Sequence, residues 1–359
     1  MYKRLLLLNG LATLTVPFYH AAAEGLATMF QKTNAYLPVV TPNYDALGTP
    51  VYFITIFIRQ LVGFAIPAFL LVSGFFVAFS SRSAQGTLSW KIVFSRIRQL
   101  LPPFLIWTAI SFALQLKWPE NLSSIFRPYY YIPLVIQLYL LSPLILPLAR
   151  RRPVLLLVLA SAFLLIDYTT NYAAVLTNSP AWVKQLERLM PIWLFPARSL
   201  YYVLGMLLGL NIERAGAWLV RRRRWLLGGA FVTAILTCVE YVLVDYYSSL
   251  IWIGSNFSGL SRVVFSILFV LAILADDRLL TRFQMQLNEI GVRSLGVYLM
   301  NSPAIYILAS LMYHFTPQWL GNQFLYQTIL VAFGLGLPLA GMWLVRKSPL
   351  RPAYRLLFG

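Results

Sequence analysis

Lysine and arginine fall in alternate gaps between long apolar stretches of this 359-residue chain, a spacing that only a polytopic membrane bundle explains. Twenty of the 29 basic residues lie in one set of gaps: Lys3, Arg4, Arg82, Lys91, Arg96, Arg98, Arg150 to Arg152, Arg214, Arg221 to Arg224, Arg278, Arg282, Arg346, Lys347, Arg351 and Arg355. The opposite gaps hold five, Lys32, Lys117, Arg127, Lys184 and Arg188. Four more, Arg59, Arg198, Arg262 and Arg293, fall in or at the edge of apolar segments. Short loops rich in Lys and Arg stay on the cytosolic side. The expectation is therefore an all-α integral membrane protein with both termini cytosolic.

Composition excludes a soluble fold, because 59% hydrophobic and 11% charged residues leave too little polar surface to cover one. A net charge of +18 raises the question of nucleic acid. The basic residues alternate with apolar spans instead of sharing a face, so membrane lipids or an anionic cytosolic ligand are the expected partners, with no nucleic acid. The single cysteine, Cys238, rules out an internal disulfide or a Cys-based metal cluster, and no metal is expected.

A crossing takes about 20 apolar residues, and about ten such spans can be read. They run approximately 5–22, 51–79, 100–116, 129–148, 153–166, 192–210, 225–244, 257–274, 290–312 and 324–345. The start of the first, with Lys3, Arg4, an apolar run and Ala21 to Ala23, has the look of a cleavable signal peptide. Cleavage would upset the charge alternation of every later span, so an uncleaved anchor is expected. No gap is long enough for a soluble domain, and residues 1–359 read as one membrane domain. The longest connection is expected from Ala23 to Pro50, following His20 as a possible cover over an outward-facing site.

His20 is the one histidine expected inside a span, where an ionisable group is costly unless it faces the bundle interior or a wet cavity. Glu24 follows four residues later and shares its face if the helix continues, so its carboxylate could orient the imidazole as a base. His314 is expected in a loop. Arg198, Glu240, Arg262 and Arg293 are candidates for ion pairs between helices. Of these Arg198 stands out, because Pro196 frees backbone groups beside it. The run from Lys91 through Arg96, Arg98 and Gln99 to Pro102-Pro103 is a basic approach to the third span. A proline pair suits the first turn of a helix, whose N-terminus attracts anions, and Arg binds phosphate bidentately.

Several stretches together carry a family likeness. They are Arg59-Gln-Leu-Val-Gly-Phe-Ala-Ile-Pro67 leading to Ser73-Gly74-Phe-Phe, Arg96 to Trp107, Tyr131 to Pro143 with Gln137 and Tyr139, Tyr202-Val-Leu-Gly205, Ile290-Gly291 to Asn301, and Lys347 to Arg351. Taken in order over nearly the whole chain, they resemble the bacterial membrane acyltransferase-3 family. The family's first-span histidine is matched by His20, while its arginine eleven positions earlier is matched by Asn9. Its paired arginines before the third span are matched by Arg96 and Gln99, with Arg98 as a neighbouring stand-in.

The resemblance implies O-acyltransfer, often of acetyl, from cytosolic acyl-CoA as donor substrate to a hydroxyl of an extracytoplasmic glycan or glycolipid. In that reading His20, Glu24, Tyr139 and Tyr202 are catalytic, and Asn9, Arg96 and Arg98 bind the donor. The same polar groups would also suit an exporter of a glycan or lipid intermediate, or a partner that binds without turnover.

Overall fold

A computed structural model describes residues 2–81, 88–115, 119–175, 180–248, 259–276 and 283–359. Four of the basic residues counted above, Arg82, Lys117, Arg278 and Arg282, lie outside the described residues. In chain order the helices are α1 (Tyr2–Gln31), α2 (Pro50–Leu61), α3 (Ala65–Ser80), α4 (Trp90–Gln115), α5 (Leu122–Phe126), α6 (Tyr131–Arg151), α7 (Pro153–Val175), α8 (Ala181–Leu189), α9 (Ser199–Leu210), α10 (Ile212–Ser248), α11 (Leu260–Ala275), α12 (Gln284–Val292), α13 (Ser294–Phe315), α14 (Gln323–Lys347) and α15 (Tyr354–Phe358). Among the described residues, eight helical segments are long and apolar enough to cross a membrane. Two shorter apolar helices, Phe195–Leu210 and Leu260–Ala275, fall where the sixth and eighth spans are expected.

The chain folds as an all-α membrane bundle, with helices that outrun most of the apolar windows. The fifth span, expected to stop near Ile166, continues to Val175. Helix α10 begins at Ile212 and carries Arg221 to Arg224 within it. Hydropathy sees only the segment inside hydrocarbon, whereas a helix persists into the interface wherever its backbone pairs internally.

Three local expectations are corrected. Helix α1 reaches Gln31, so the stretch after Ala23 opens as helix and the connection to α2 begins only at Lys32. His20 consequently lies inside a long helix and not at the root of a loop. The proline pair Pro102-Pro103 lies mid-helix, because α4 starts at Trp90 in the amphipathic basic run. The missing amides of the prolines release the carbonyls of Arg98 and Gln99. His314, expected in a loop, belongs to the last turn of α13, edge-on to Tyr313 at 5.2 Å between ring centroids.

Helix α1 is central. It packs against α2, α3, α11, α12, α13 and α14, and Leu5, Leu8 and Ala12 are fully buried. Its start meets the end of α11, where Arg4 donates to the Leu274 carbonyl (2.8 Å). Its later part meets the start of α11, where the Arg262 guanidinium lies 5.5 Å from the centroid of the Tyr19 ring. These contacts fix two ends of the bundle. One end holds both termini, since Gly359 packs on Leu295 and Gln99 and the adjacent Ser294 meets Asn9. The other end holds Tyr19, Arg262 and Glu24.

The hairpin of α10 and α11 is fastened at both ends. Arg223 pairs with buried Asp276 at 2.8 Å. At the far end Glu240 accepts from the Leu260 amide (3.1 Å), the Ser261 amide (3.0 Å), the Ser261 hydroxyl and the Tyr172 hydroxyl. A carboxylate on the N-terminal amides of α11 is where a helix favours negative charge. Glu240 thus locks two helices, through amides and hydroxyls.

Candidate functional site

His20 opens on a cavity of about 130 Å³ shared by α1, α4 and α13. Its lining includes Glu24, Ser111, Tyr129, Ser302 and Tyr306. The helical repeat explains the pairing on α1: His20 and Glu24 are four apart and share a face, while Phe18, two positions before His20, is 37% exposed on another side. The Glu24 carboxylate holds Lys32 at 3.1 Å, so its charge is balanced at the rim of the cavity.

Opposite His20, the Tyr129 hydroxyl bonds with Ser111 (2.8 Å) and donates to the Leu299 carbonyl (2.9 Å). Tyr129 and Ser111 are both buried. The cavity therefore combines an imidazole, a carboxylate and hydroxyls within a helix bundle.

Arg96 marks a second locus, nearer the termini. With Lys91, Ile92, Ser95 and Gln99 it lines a recess of about 550 Å³. Its guanidinium donates to the Phe76 carbonyl (3.4 Å) and lies 5.5 Å from the centroid of the Tyr139 ring. Arg98 is exposed on α4 and is not among the residues lining this recess, whereas Gln99 is. Tyr139 packs edge-on to Tyr202 at 6.3 Å, and the buried Tyr202 hydroxyl bonds with Ser142 at 2.7 Å.

Aromatic rings connect the two loci. Tyr131, on the same helix as Tyr139, lies within its electrostatic reach and packs on Tyr298 at 5.6 Å between centroids. Tyr298 packs on Tyr129 at 6.1 Å, and Tyr129 lines the His20 cavity. Ser73 touches this series through the Tyr131 hydroxyl at 3.3 Å. Tyr129, Tyr131, Tyr298 and Ser111 are the residues that sequence alone does not single out, because 21 tyrosines in an apolar chain give no way to choose among them.

Asn9 is placed apart from Arg96. Its side-chain amide donates to the Gly291 carbonyl (2.7 Å) and to Ser294 Oγ (3.3 Å). These partners flank the break between α12 and α13. Gly10 beside it abuts the backbone there so closely that a β-carbon would lie 1.8 Å from the Leu287 carbonyl oxygen. The structure thus brings together His20 with Glu24, and Arg96 with Tyr139 and Tyr202, while Asn9 sits at a helix junction and Arg98 on the surface.

The remaining intramembrane charges also have defined surroundings. Arg293 pairs with Glu289 in the preceding turn at 2.8 Å. Arg198 closes a 3-10 turn, Phe195–Arg198, whose backbone is held by Gln137: Gln137 donates to the Trp193 carbonyl (2.9 Å) and accepts from the Phe195 amide (3.2 Å). Arg59 and Arg262 flank Tyr19, with guanidinium carbons 5.3 Å and 5.5 Å from its ring centroid.

No curated protein and no solved structure matches the chain. A family model described as an acyltransferase domain, that of the acyltransferase-3 family, matches residues 4–345 and so takes in both loci and every span between them. On that match the chain belongs to the acyltransferase-3 family of membrane acyltransferases.

Proposed function

We propose that the protein is an O-acyltransferase that moves a short acyl group, acetyl in the simplest case, from acyl-CoA to a hydroxyl of a glycan or glycolipid. The donor enters at the end of the bundle that holds the termini, on the cytosolic face of a bacterial cytoplasmic membrane. The acceptor enters at the opposite, extracytoplasmic end. The observation that carries this reading is the placement of His20 on an internal cavity, linked by tyrosines to the recess of Arg96.

Coenzyme A is polyanionic and cannot enter hydrocarbon unaided. Its phosphates stay at the basic recess, where Arg96 can bind them bidentately and Arg98 adds charge from the surface. Only the pantetheine arm with its thioester passes inward, along Tyr139 and Tyr202. Asn9, by holding the α12–α13 break, sets the position of helices that flank this route.

At the cavity His20 takes the proton of the acceptor hydroxyl as the oxygen attacks the thioester carbonyl carbon. A C–O bond forms and the C–S bond breaks. The thiolate of coenzyme A leaves and is protonated, and the imidazole releases the proton it took. Glu24, one turn along α1, lines the same cavity as a polar rim group, and hydroxyls in the wall steady the developing oxyanion. A cavity of about 150 Å³ holds one benzene, so a space of about 130 Å³ has room for an acetyl-sized group.

The test is acyl transfer by the purified chain in lipid nanodiscs, with radiolabelled acetyl-CoA and a membrane glycan extract. His20→Ala should lower product formation by about 10²–10⁴-fold, the usual weight of a general base, while acetyl-CoA binding persists. Undiminished turnover in folded His20→Ala protein would exclude the role, and transport of the extract without product would favour an exporter.

A further inference from the structure

A recess of about 810 Å³ lies at the end of the bundle that holds the termini. It forms where α14 ends and the following segment folds back, with Trp107 of α4 donating to the Leu357 carbonyl (2.9 Å) and Phe358 buried against Val297 and Met342. Four of the described arginines line it: Arg293 at the break between α12 and α13, Arg346 in the last turn of α14, Arg351 in the 3-10 turn Arg351–Ala353, and Arg355 in α15. Glu289, also in the lining, pairs with Arg293 at 2.8 Å. Arg346, Arg351 and Arg355 are exposed.

Basic residues gather at one end of a membrane bundle for topological reasons alone, and a helix dipole favours Arg346 and Lys347 in the last turn of α14. Neither reason sets which way the side chains turn. Lys347 lies over Trp343, its ammonium 5.0 Å from the ring centroid, and is not among the residues lining the recess. Arg346, Arg351 and Arg355 meet at the recess from three successive elements. A guanidinium takes a phosphate through paired N–H···O contacts, which an ammonium cannot make.

The recess also has apolar surroundings. Val292 and Pro352 line it beside the arginines. Trp343, Leu350 and Leu356, each next to a lining residue in sequence, are 55%, 60% and 50% exposed. A soluble anion gains nothing from exposed apolar residues around its site, whereas a phospholipid lays its chains on them while its phosphate stays at the interface. Tryptophan is enriched at that level, and basic pockets between helices at a membrane face bind anionic headgroups.

We propose that this recess binds the headgroup phosphate of an anionic phospholipid. Such binding is independent of acyl transfer. The test is equilibrium binding and thermal unfolding of the full chain in neutral detergent. The probes are dihexanoylphosphatidylglycerol, its zwitterionic phosphatidylcholine counterpart, inorganic phosphate and coenzyme A. Phosphatidylglycerol should bind and raise the unfolding temperature, and phosphatidylcholine and inorganic phosphate should do so far less. Arg351→Gln and Arg355→Gln, both at exposed positions, should each weaken phosphatidylglycerol binding by about tenfold, the weight of a charged hydrogen bond. Lys347→Gln removes the same charge from the same patch but outside the recess, and should leave binding unchanged.

Undiminished phosphatidylglycerol binding in the folded Arg351→Gln, Arg355→Gln double variant overturns the site, as does an equal loss in Lys347→Gln, which would mark diffuse surface charge. Equal affinity for phosphatidylcholine or for inorganic phosphate overturns the lipid assignment. So does a loss of coenzyme A affinity in Arg351→Gln as large as the loss for phosphatidylglycerol, which would join the recess to the donor site. Because lipid binding is read without turnover, its failure leaves the acyl-transfer reading standing, and a chain that binds the lipid but transfers no acyl group refutes that reading alone.

Discussion

A β-carbon on Gly74 would lie 2.1 Å from the carbonyl oxygen of Tyr202, and one on Gly205 would lie 1.9 Å from the carbonyl oxygen of Leu71. Helices α3 and α9 therefore touch backbone to backbone, each through a glycine of the other's partner turn, as small residues permit within membranes. This contact seats Tyr202 beside Tyr139 and Ser73 beside Tyr131. The glycines of the Ser-Gly-Phe and Tyr-Val-Leu-Gly stretches thus act by position and carry no chemistry of their own.

Gly74→Ala should accordingly destabilise the bundle by about 1–3 kcal/mol, the range for overpacking a tight core. Gly228→Ala is the contrasting case, because a β-carbon there meets nothing within 4 Å. It should stabilise α10 by about 1 kcal/mol through helix propensity. Thermal unfolding in detergent compares the two, and a Gly74→Ala midpoint equal to wild type would disprove the tight packing.

The bundle was legible from residue order because hydropathy and charge alternation respond to the membrane, which acts on every span alike. Site geometry was legible only where chemistry is rare. His20 stands out as one of two histidines, and Arg198 as a charge beside Pro196. The tyrosines do not stand out, and their grouping into Tyr139, Tyr131, Tyr298 and Tyr129 depends on which helices neighbour one another. Pro102 reads as a helix start from local rules alone, yet an amphipathic turn from Trp90 already supplies one.

Tyr129→Phe should separate structure from chemistry at the cavity wall. Loss of the phenol leaves Ser111 and the Leu299 carbonyl without their partner, a cost of about 1–3 kcal/mol for buried groups. Under the proposed function turnover should fall while acetyl-CoA affinity is kept, since Tyr129 lies at the His20 cavity and away from the Arg96 recess. Unchanged stability together with unchanged turnover would remove Tyr129 from the site.

Arg96 and Arg98, two positions apart on α4, should behave differently. Arg96 lines the recess and reaches Tyr139, while Arg98 is exposed and outside it. Losing a charged hydrogen bond costs about 1.5–3 kcal/mol, so Arg96→Ala should weaken acetyl-CoA binding by about tenfold or more. Arg98→Ala should weaken it by a fewfold at low salt, and that effect should fade as ionic strength rises. Equal losses at high salt would place the donor phosphates elsewhere on α4.

Asn9 offers the sharpest separation of a ligand contact from a helix junction. Its amide ties α1 to the Gly291 carbonyl at the break between α12 and α13, and that carbonyl lies where Arg293 begins the next helix. Asn9→Ala leaves the carbonyl without its side-chain donor, so stability should drop by about 1–2 kcal/mol. Asn9→Asp should cost more, because a carboxylate has no proton to donate and would face the carbonyl oxygen directly. If Asn9 acted by touching the donor, Asn9→Ala would raise the apparent Kd for acetyl-CoA and spare stability. If it acts through the junction, unfolding temperature falls while donor affinity in the folded fraction holds. Measuring both on the same preparation distinguishes the two, and the geometry predicts the second.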